Sequence, residues 1–199
     1  MSAAPDSSFP RLVSLACHDL RTPLATVLGF ARTLTRLTTD LPEQTVRYLE
    51  MMESGAEQLV ELLDELALAA RIEGDRYDPN LQVADTAALA QAAAEQAQGA
   101  VGVSGEGESV TVDVPAVESG LAAFAECALR HGRLERVELA VEGRTVTVRP
   151  VSAEVARIAL GEELKDFGAA VATRLVGALG GSVAYGGDEL VIELPGLAD

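Results

Sequence analysis

The chain has 199 residues, 48% of them hydrophobic but only 4% aromatic, and sets 15 Lys and Arg against 31 Asp and Glu for a net charge of −16. That balance excludes a nucleic-acid partner, which needs cationic side chains to neutralise phosphates, and it equally disfavours an anionic membrane surface. Apolar material rich in Ala, Leu and Val suits one ordinary domain or two small ones, built from helices packed through small side chains with a modest sheet.

No run of about 18 apolar residues is present, so no membrane span is expected. Residues 1–10 lack the basic start and apolar core of a signal peptide, which points to a cytoplasmic location. No room for a signal-reading module precedes the first helix, so input is expected through a partner. Cys17 and Cys127 lie far apart with no CxxC pattern. They read as reduced buried thiols, not as a disulfide or a zinc site, and no metal ligand is assigned.

In chain order, residues 9–38 read as one long helix. Leu12, Leu15, Leu24, Val27, Leu28, Ala31, Leu34 and Leu37 recur mostly at three- and four-residue steps. A turn follows, in which Asp40 and Glu43 have capping-box spacing and Pro42 is tolerated in a first helical turn. The second helix spans residues 42–72 with a heptad seam of Leu49, Met52, Ala56, Leu59, Leu63, Leu66 and Ala70. Two such helices, each about 45 Å long, make an antiparallel hairpin over residues 9–73. One hairpin cannot cover its own apolar stripe, whereas two can form a four-helix bundle, so a homodimer is expected.

Residues 74–80 form a polar linker carrying helix-stop residues, and a second domain over residues 81–195 follows. Its first helix is read at 85–98, capped by Asp85. Residues 99–108 look like a flexible glycine-rich loop, and 110–114 like a short alternating strand. A helix covers 117–131, and strands at 137–141 and 145–148 form a hairpin around Glu142-Gly143-Arg144. A helix at 167–179 stops at Gly180-Gly181, and strands at 182–185 and 190–194 close a second hairpin. Strands segregated against helices indicate an α+β sandwich. His131, at a helix end, is read as a favourable contact with the helix dipole.

Chemistry concentrates at His18. A histidine nucleophile needs a neutral imidazole with one nitrogen exposed and the other held by an orienting group. The carboxylate of Asp19 can accept the Nδ1 proton, leaving Nε2 free to attack phosphorus, and can take up a proton as the phosphoramidate forms. Pro23 lacks an N–H for the Asp19 carbonyl, so the helix should bend there at a cost of about 3 kcal/mol.

The run Leu15-Ala16-Cys17-His18-Asp19-Leu20-Arg21-Thr22-Pro23-Leu24 closely resembles the H-box of sensor histidine kinases. The hairpin over about residues 9–73 resembles their dimerisation and histidine-phosphotransfer domain. This resemblance implies that His18 is the phosphoacceptor and Asp19 its acid/base neighbour. Thr22 matches the residue that positions water when such proteins dephosphorylate a response regulator; its hydroxyl could equally bond back to the carbonyl of His18.

Residues 81–195 resemble the Bergerat-type ATP-binding α/β sandwich of the same family, as a skeleton only. Residues 124–132 match a helix whose asparagines hold magnesium and phosphate in the family, and Ala123 and Cys127 stand at those positions. Neither is a suitable hard-oxygen ligand. Where an Asp-x-Gly-x-Gly turn should read adenine, Pro150 occupies the aspartate position and both glycines are missing. The later Gly-x-Gly appears as Asp166-Phe167-Gly168, a carboxylate where a phosphate should sit at a helix N-terminus. The connection from 150 to 166 is short for an ATP lid.

The expectation is therefore a histidine phosphotransferase exchanging phosphoryl groups with response-regulator receiver domains. It would use no ATP cofactor, the receiver supplying magnesium, and would dock the receiver on residues 21–36 and part of the second helix. The alternatives are a histidine kinase with a divergent ATP site or phosphorylated in trans, and a pseudokinase regulating a partner histidine kinase or a response regulator.

Overall fold

The computed structural model describes residues 8–37 and 41–197, without the side chains of Ser8, Arg11, Leu12 and Leu37. The seam positions Leu12 and Leu37, the predicted cap at Asp40 and the end of the first helix at Thr38 thus lie outside what is described. The chain divides into two compact units between Arg76 and Tyr77.

The first unit is a helical hairpin of α1 (Ser8–Leu37) and α2 (Glu43–Glu73). Helix α1 runs through Pro23 without interruption. Pro42 is not inside the first turn of α2 but stands just before it, as an N-cap in extended conformation with no side-chain cap. The heptad pattern splits into two sets at seven-residue steps. Leu49, Ala56 and Ala70 are buried and Leu63 half-buried, while Met52, Leu59 and Leu66 stay exposed. On α1, Cys17 and Ala31 are buried with Leu24 half-buried between them, while Leu20 and Val27 are exposed. One set packs the two helices of the hairpin together, and the other is left outside. Ion pairs reinforce the hairpin: Arg21 with Asp64, and Arg32 with Glu53 (3.0 Å) and Glu57 (2.5 Å).

The second unit is a two-layer α+β fold. A five-stranded sheet has the order β2 (Ala100–Gly107), β4 (Arg136–Gly143), β5 (Thr145–Arg149), β7 (Glu189–Glu193), β6 (Ser182–Gly186). Only the β2–β4 pair is parallel. A separate antiparallel ribbon joins β1 (Leu81–Asp85) to β3 (Ser109–Asp113). Helices α3 (Thr86–Gln96), α4 (Val114–Gly132), α5 (Ala153–Ala159) and α6 (Phe167–Ala178) complete the unit.

Period-two alternation decides which face of the sheet is covered. Val137, Leu139 and Val141 of β4, Val146 and Val148 of β5, and Leu190 and Ile192 of β7 are buried in one cluster with Leu89, Leu121 and Phe124 of the helices. Each such side chain contributes about 1.5–3 kcal/mol on full burial. The intervening residues carry cross-strand polar pairs, including Arg149 Nε to Glu138 (3.0 Å) and Ser104 Oγ to Glu138 (2.5 Å). The Ser104 hydroxyl and then Arg149 hold the Glu138 carboxyl below its usual range.

Three local readings change. Residues 99–108 are not a loop but contain β2, an edge strand in register with β4, pairing Val101 with Val137 and Val103 with Leu139. Glycine hides it: Gly105 has φ +96, and a Cβ there would collide with the Val141 carbonyl, so the strand needs glycine to lie this close. Neither β1 nor α5 is marked by periodicity, being only 5 and 7 residues long. The Asp85 cap is present, accepting from the amides of Ala87 (2.9 Å) and Ala88 (3.1 Å). Beside it the buried Thr86 hydroxyl donates to the Gly143 carbonyl (2.5 Å) and accepts from the Glu108 amide (2.9 Å).

Candidate functional site

His18 sits on the outward side of α1, directly after the buried Cys17. Its side chain is 78% exposed and that of Asp19 69% exposed. Nδ1 of His18 lies 3.1 Å from Oδ1 of Asp19. A carboxylate can only accept, so the pairing favours the proton on Nδ1 and leaves the Nε2 lone pair facing solvent. That is the arrangement a nitrogen nucleophile requires.

Thr22 lies one turn further along the same face and is exposed. Among the described hydrogen bonds none runs from its hydroxyl to the His18 carbonyl. Its own carbonyl instead accepts from Thr26 Oγ1 at 3.0 Å. The structure thus brings His18 and Asp19 together and sets Thr22 nearby without a direct bond. Arg21, which sequence reasoning gave no structural part, ties this turn to α2 through Asp64.

A second constellation lies within the α+β unit. Asp166 is the N-cap of α6, and its Oδ1 accepts from the Ala169 amide at 3.1 Å. The residue is buried. Its other oxygen accepts from Arg130 Nη1 at 2.9 Å and lies 3.1 Å from Nε2 of His131. His131 therefore has a specific carboxylate partner and not merely a diffuse contact with its helix end. Cys127 is fully buried one turn earlier on α4. Burial first, then the charge of Asp166, pushes its thiol up to about 12, with Arg130 opposing.

The sequence singled out Cys127 and Asp166 separately but missed Arg130 and the His131–Asp166 contact. Cys127 and His131 are four residues apart on a helix, a spacing that places them on one face and was the available signal. Pro150 lies elsewhere, lining an open groove of roughly 570 Å³ with Arg136, Glu138, Arg149 and Asp188. Ala123 is half-buried against the core.

A helical hairpin with an outward His–Asp pair on its first helix, followed by a two-layer unit with a mixed five-stranded sheet, is the arrangement expected of a protein of histidine-kinase type. Residues 11–75 match the family of the His Kinase A (phospho-acceptor) domain. The chain is 38% identical over 67 residues to the sensor histidine kinase TrcS of Mycobacterium tuberculosis, covering 34% of this chain and 13% of TrcS. It is 35% identical over 79 residues to the phosphate regulon sensor protein PhoR of Pseudomonas aeruginosa, covering 39% of this chain and 18% of PhoR. The aligned segments thus span less than a fifth of either relative.

The crystal structure of full-length ShkA in complex with AMPPNP superposes with a TM-score of 0.67 at 25% identity, covering 94% of this chain and 46% of that one. Residues 11–75 thus carry a His Kinase A phospho-acceptor domain, and the chain as a whole is similar to histidine kinases of two-component signalling, with a HATPase-like region after that domain. Among the described residues no helix is long and apolar enough to cross a membrane.

Proposed function

We propose that this protein is a cytoplasmic histidine phosphotransferase in which His18 exchanges phosphoryl groups with the receiver domain of a response regulator, without ordinary binding of magnesium-ATP. The observation that carries the reading is the exposed imidazole of His18 held through Nδ1 by Asp19 at 3.1 Å. Nε2 attacks the phosphorus of a receiver phosphoaspartate; the P–N bond forms as the acyl P–O bond breaks, and the aspartate leaves as a carboxylate. The carboxylate of Asp19 stabilises the imidazolium so produced by accepting the hydrogen bond of its Nδ1–H. Magnesium belongs to the receiver in this scheme, and Thr22 stands on the docking face, within residues 21–36. The exposed set of Leu20, Val27, Met52, Leu59 and Leu66 supports a homodimer, since two hairpins can bury these positions against each other.

The surroundings of Asp166 support the absence of ordinary nucleotide binding. A phosphate at the N-terminus of α6 would compete with the carboxylate of Asp166 for the Ala169 amide and for the charge of Arg130. The neutral thiol of Cys127 and the methyl group of Ala123 offer no hard oxygen to magnesium. These residues do not fit a magnesium nucleotide.

A second reading, a kinase with a divergent site, is favoured by one observation: the ShkA structure that matches this chain carries AMPPNP. The test is to incubate the intact protein with phosphorylated receiver domains, and separately with radiolabelled ATP and magnesium. Acid-labile phosphate from the receiver only, lost in His18→Gln, is the expected result. Label from ATP on His18 would overturn the phosphotransferase reading. Full activity of His18→Ala in cells would favour a non-catalytic regulator of a partner kinase.

A further inference from the structure

Cys127, His131 and Asp166 each offer one ligand atom, and these atoms all lie within 4.8 Å of one another. Cys127 and Asp166 are buried, and His131 is 23% exposed. Thiolate, imidazole and carboxylate together form the donor set of a borderline-soft divalent cation, one that takes sulfur and nitrogen as readily as oxygen. Bonds of about 2.0–2.3 Å to such an ion put tetrahedral ligands roughly 3–4 Å apart. His131 and Asp166 already meet that spacing at 3.1 Å.

We infer that Cys127, His131 and Asp166 form a binding site for one zinc-like transition-metal ion, three-coordinated by protein with the fourth position open on the side of His131. Charge supports the assignment: a thiolate and a carboxylate neutralise a dication, whereas in its absence the thiol stays protonated and Arg130 supplies the positive charge beside Asp166. Arg130 is 62% exposed and also lies 3.6 Å from Glu126, so it can leave Asp166 without being stranded. It acts as the stand-in that the metal displaces. Magnesium, which demands an octahedral oxygen shell, does not suit this set.

The test is titration of the intact chain, purified with chelator, with cobalt(II). A near-ultraviolet thiolate-to-cobalt charge-transfer band should saturate at one ion per chain, be bleached by zinc and be unaffected by magnesium. Cys127→Ala should abolish the band. Because a variant at that buried position can disturb folding, Arg130→Ala and His131→Gln give a second arm at partly exposed positions. The first should tighten cobalt binding by removing the competing guanidinium, and the second should weaken it at least about tenfold. No charge-transfer band at saturation would overturn the proposal, leaving the cluster a satisfied ion pair only. A band that survives Cys127→Ala would overturn it by assigning the metal to Cys17, and so would an affinity indifferent to both Arg130→Ala and His131→Gln.

Discussion

Asp166 joins the Ala169 amide, Arg130 and His131 in the α+β unit, and its removal separates two roles. Asp166→Ala deletes the cap on the Ala169 amide, which costs about 1 kcal/mol at a typical N-cap. It also strips the carboxylate from His131, whose ring is largely buried, for about 1–3 kcal/mol. Arg130 adds about 1 kcal/mol or less, because it is mostly solvated and keeps Glu126 within reach. Together these amount to about 2–5 kcal/mol. Asp166→Asn keeps an equivalent cap oxygen but loses the charge, so it should forfeit roughly half as much. Urea unfolding of the intact chain by circular dichroism measures both, and hydrogen exchange over residues 164–175 places the loss at the start of α6. An alanine variant within about 0.5 kcal/mol of the parent, or an asparagine variant as unstable as alanine, would refute this division of roles.

Two further outcomes follow from the same geometry. Leu59→Glu or Val27→Glu on the exposed heptad set should weaken self-association about a hundredfold or more, since the proposed dimer would bury each position twice at about 1.5–3 kcal/mol. Sedimentation should show the mass halving while helicity is kept, and an unchanged mass would exclude this face from the dimer. The thiol of Cys127, raised in the folded chain from 9.0 to about 12, makes a stabilising contribution that is complete below about pH 9 and lost as pH climbs toward 12. The total loss is on the order of 4 kcal/mol. Stability curves of the parent and Cys127→Ala should therefore converge through this window, and parallel curves would show that the thiol does not titrate with folding.

Legibility in the sequence followed the range of the interactions involved. Helices α1, α2, α4 and α6 repeat an apolar face many times within one element, and His18 and Asp19 are adjacent, so local pattern suffices for each. The hairpin strands β4 and β5 likewise alternate around one turn. Strand β2 has no such signal, because its pairing with β4 is parallel, reaches across α4, and depends on Gly105 lying against Val141. Its composition is that of a loop, although its backbone is held by a ladder. Even the heptad seam of α2 was legible only as one stripe. That Leu49, Ala56 and Ala70 turn inward while Met52, Leu59 and Leu66 do not depends on where α1 packs, and no single-helix period contains that information.

The Asp166 cluster shows the same limit from the functional side. The sequence places a carboxylate at the cap of α6, because capping is local, and places Cys127 on α4, because helical period is local. It does not bring the two together: Asp166 meets Arg130 and His131 across 36 and 35 residues of chain. A carboxylate at a helix N-terminus is unremarkable when exposed. Burial changes its meaning, since a buried charge must be matched, and the match here uses a guanidinium, an imidazole and the neighbourhood of a thiol. The site that resemblance describes by what is missing is, in the folded chain, occupied by a different and fully partnered set of side chains. That replacement, and not the loss of any one residue, is what a nucleotide arriving there would have to displace.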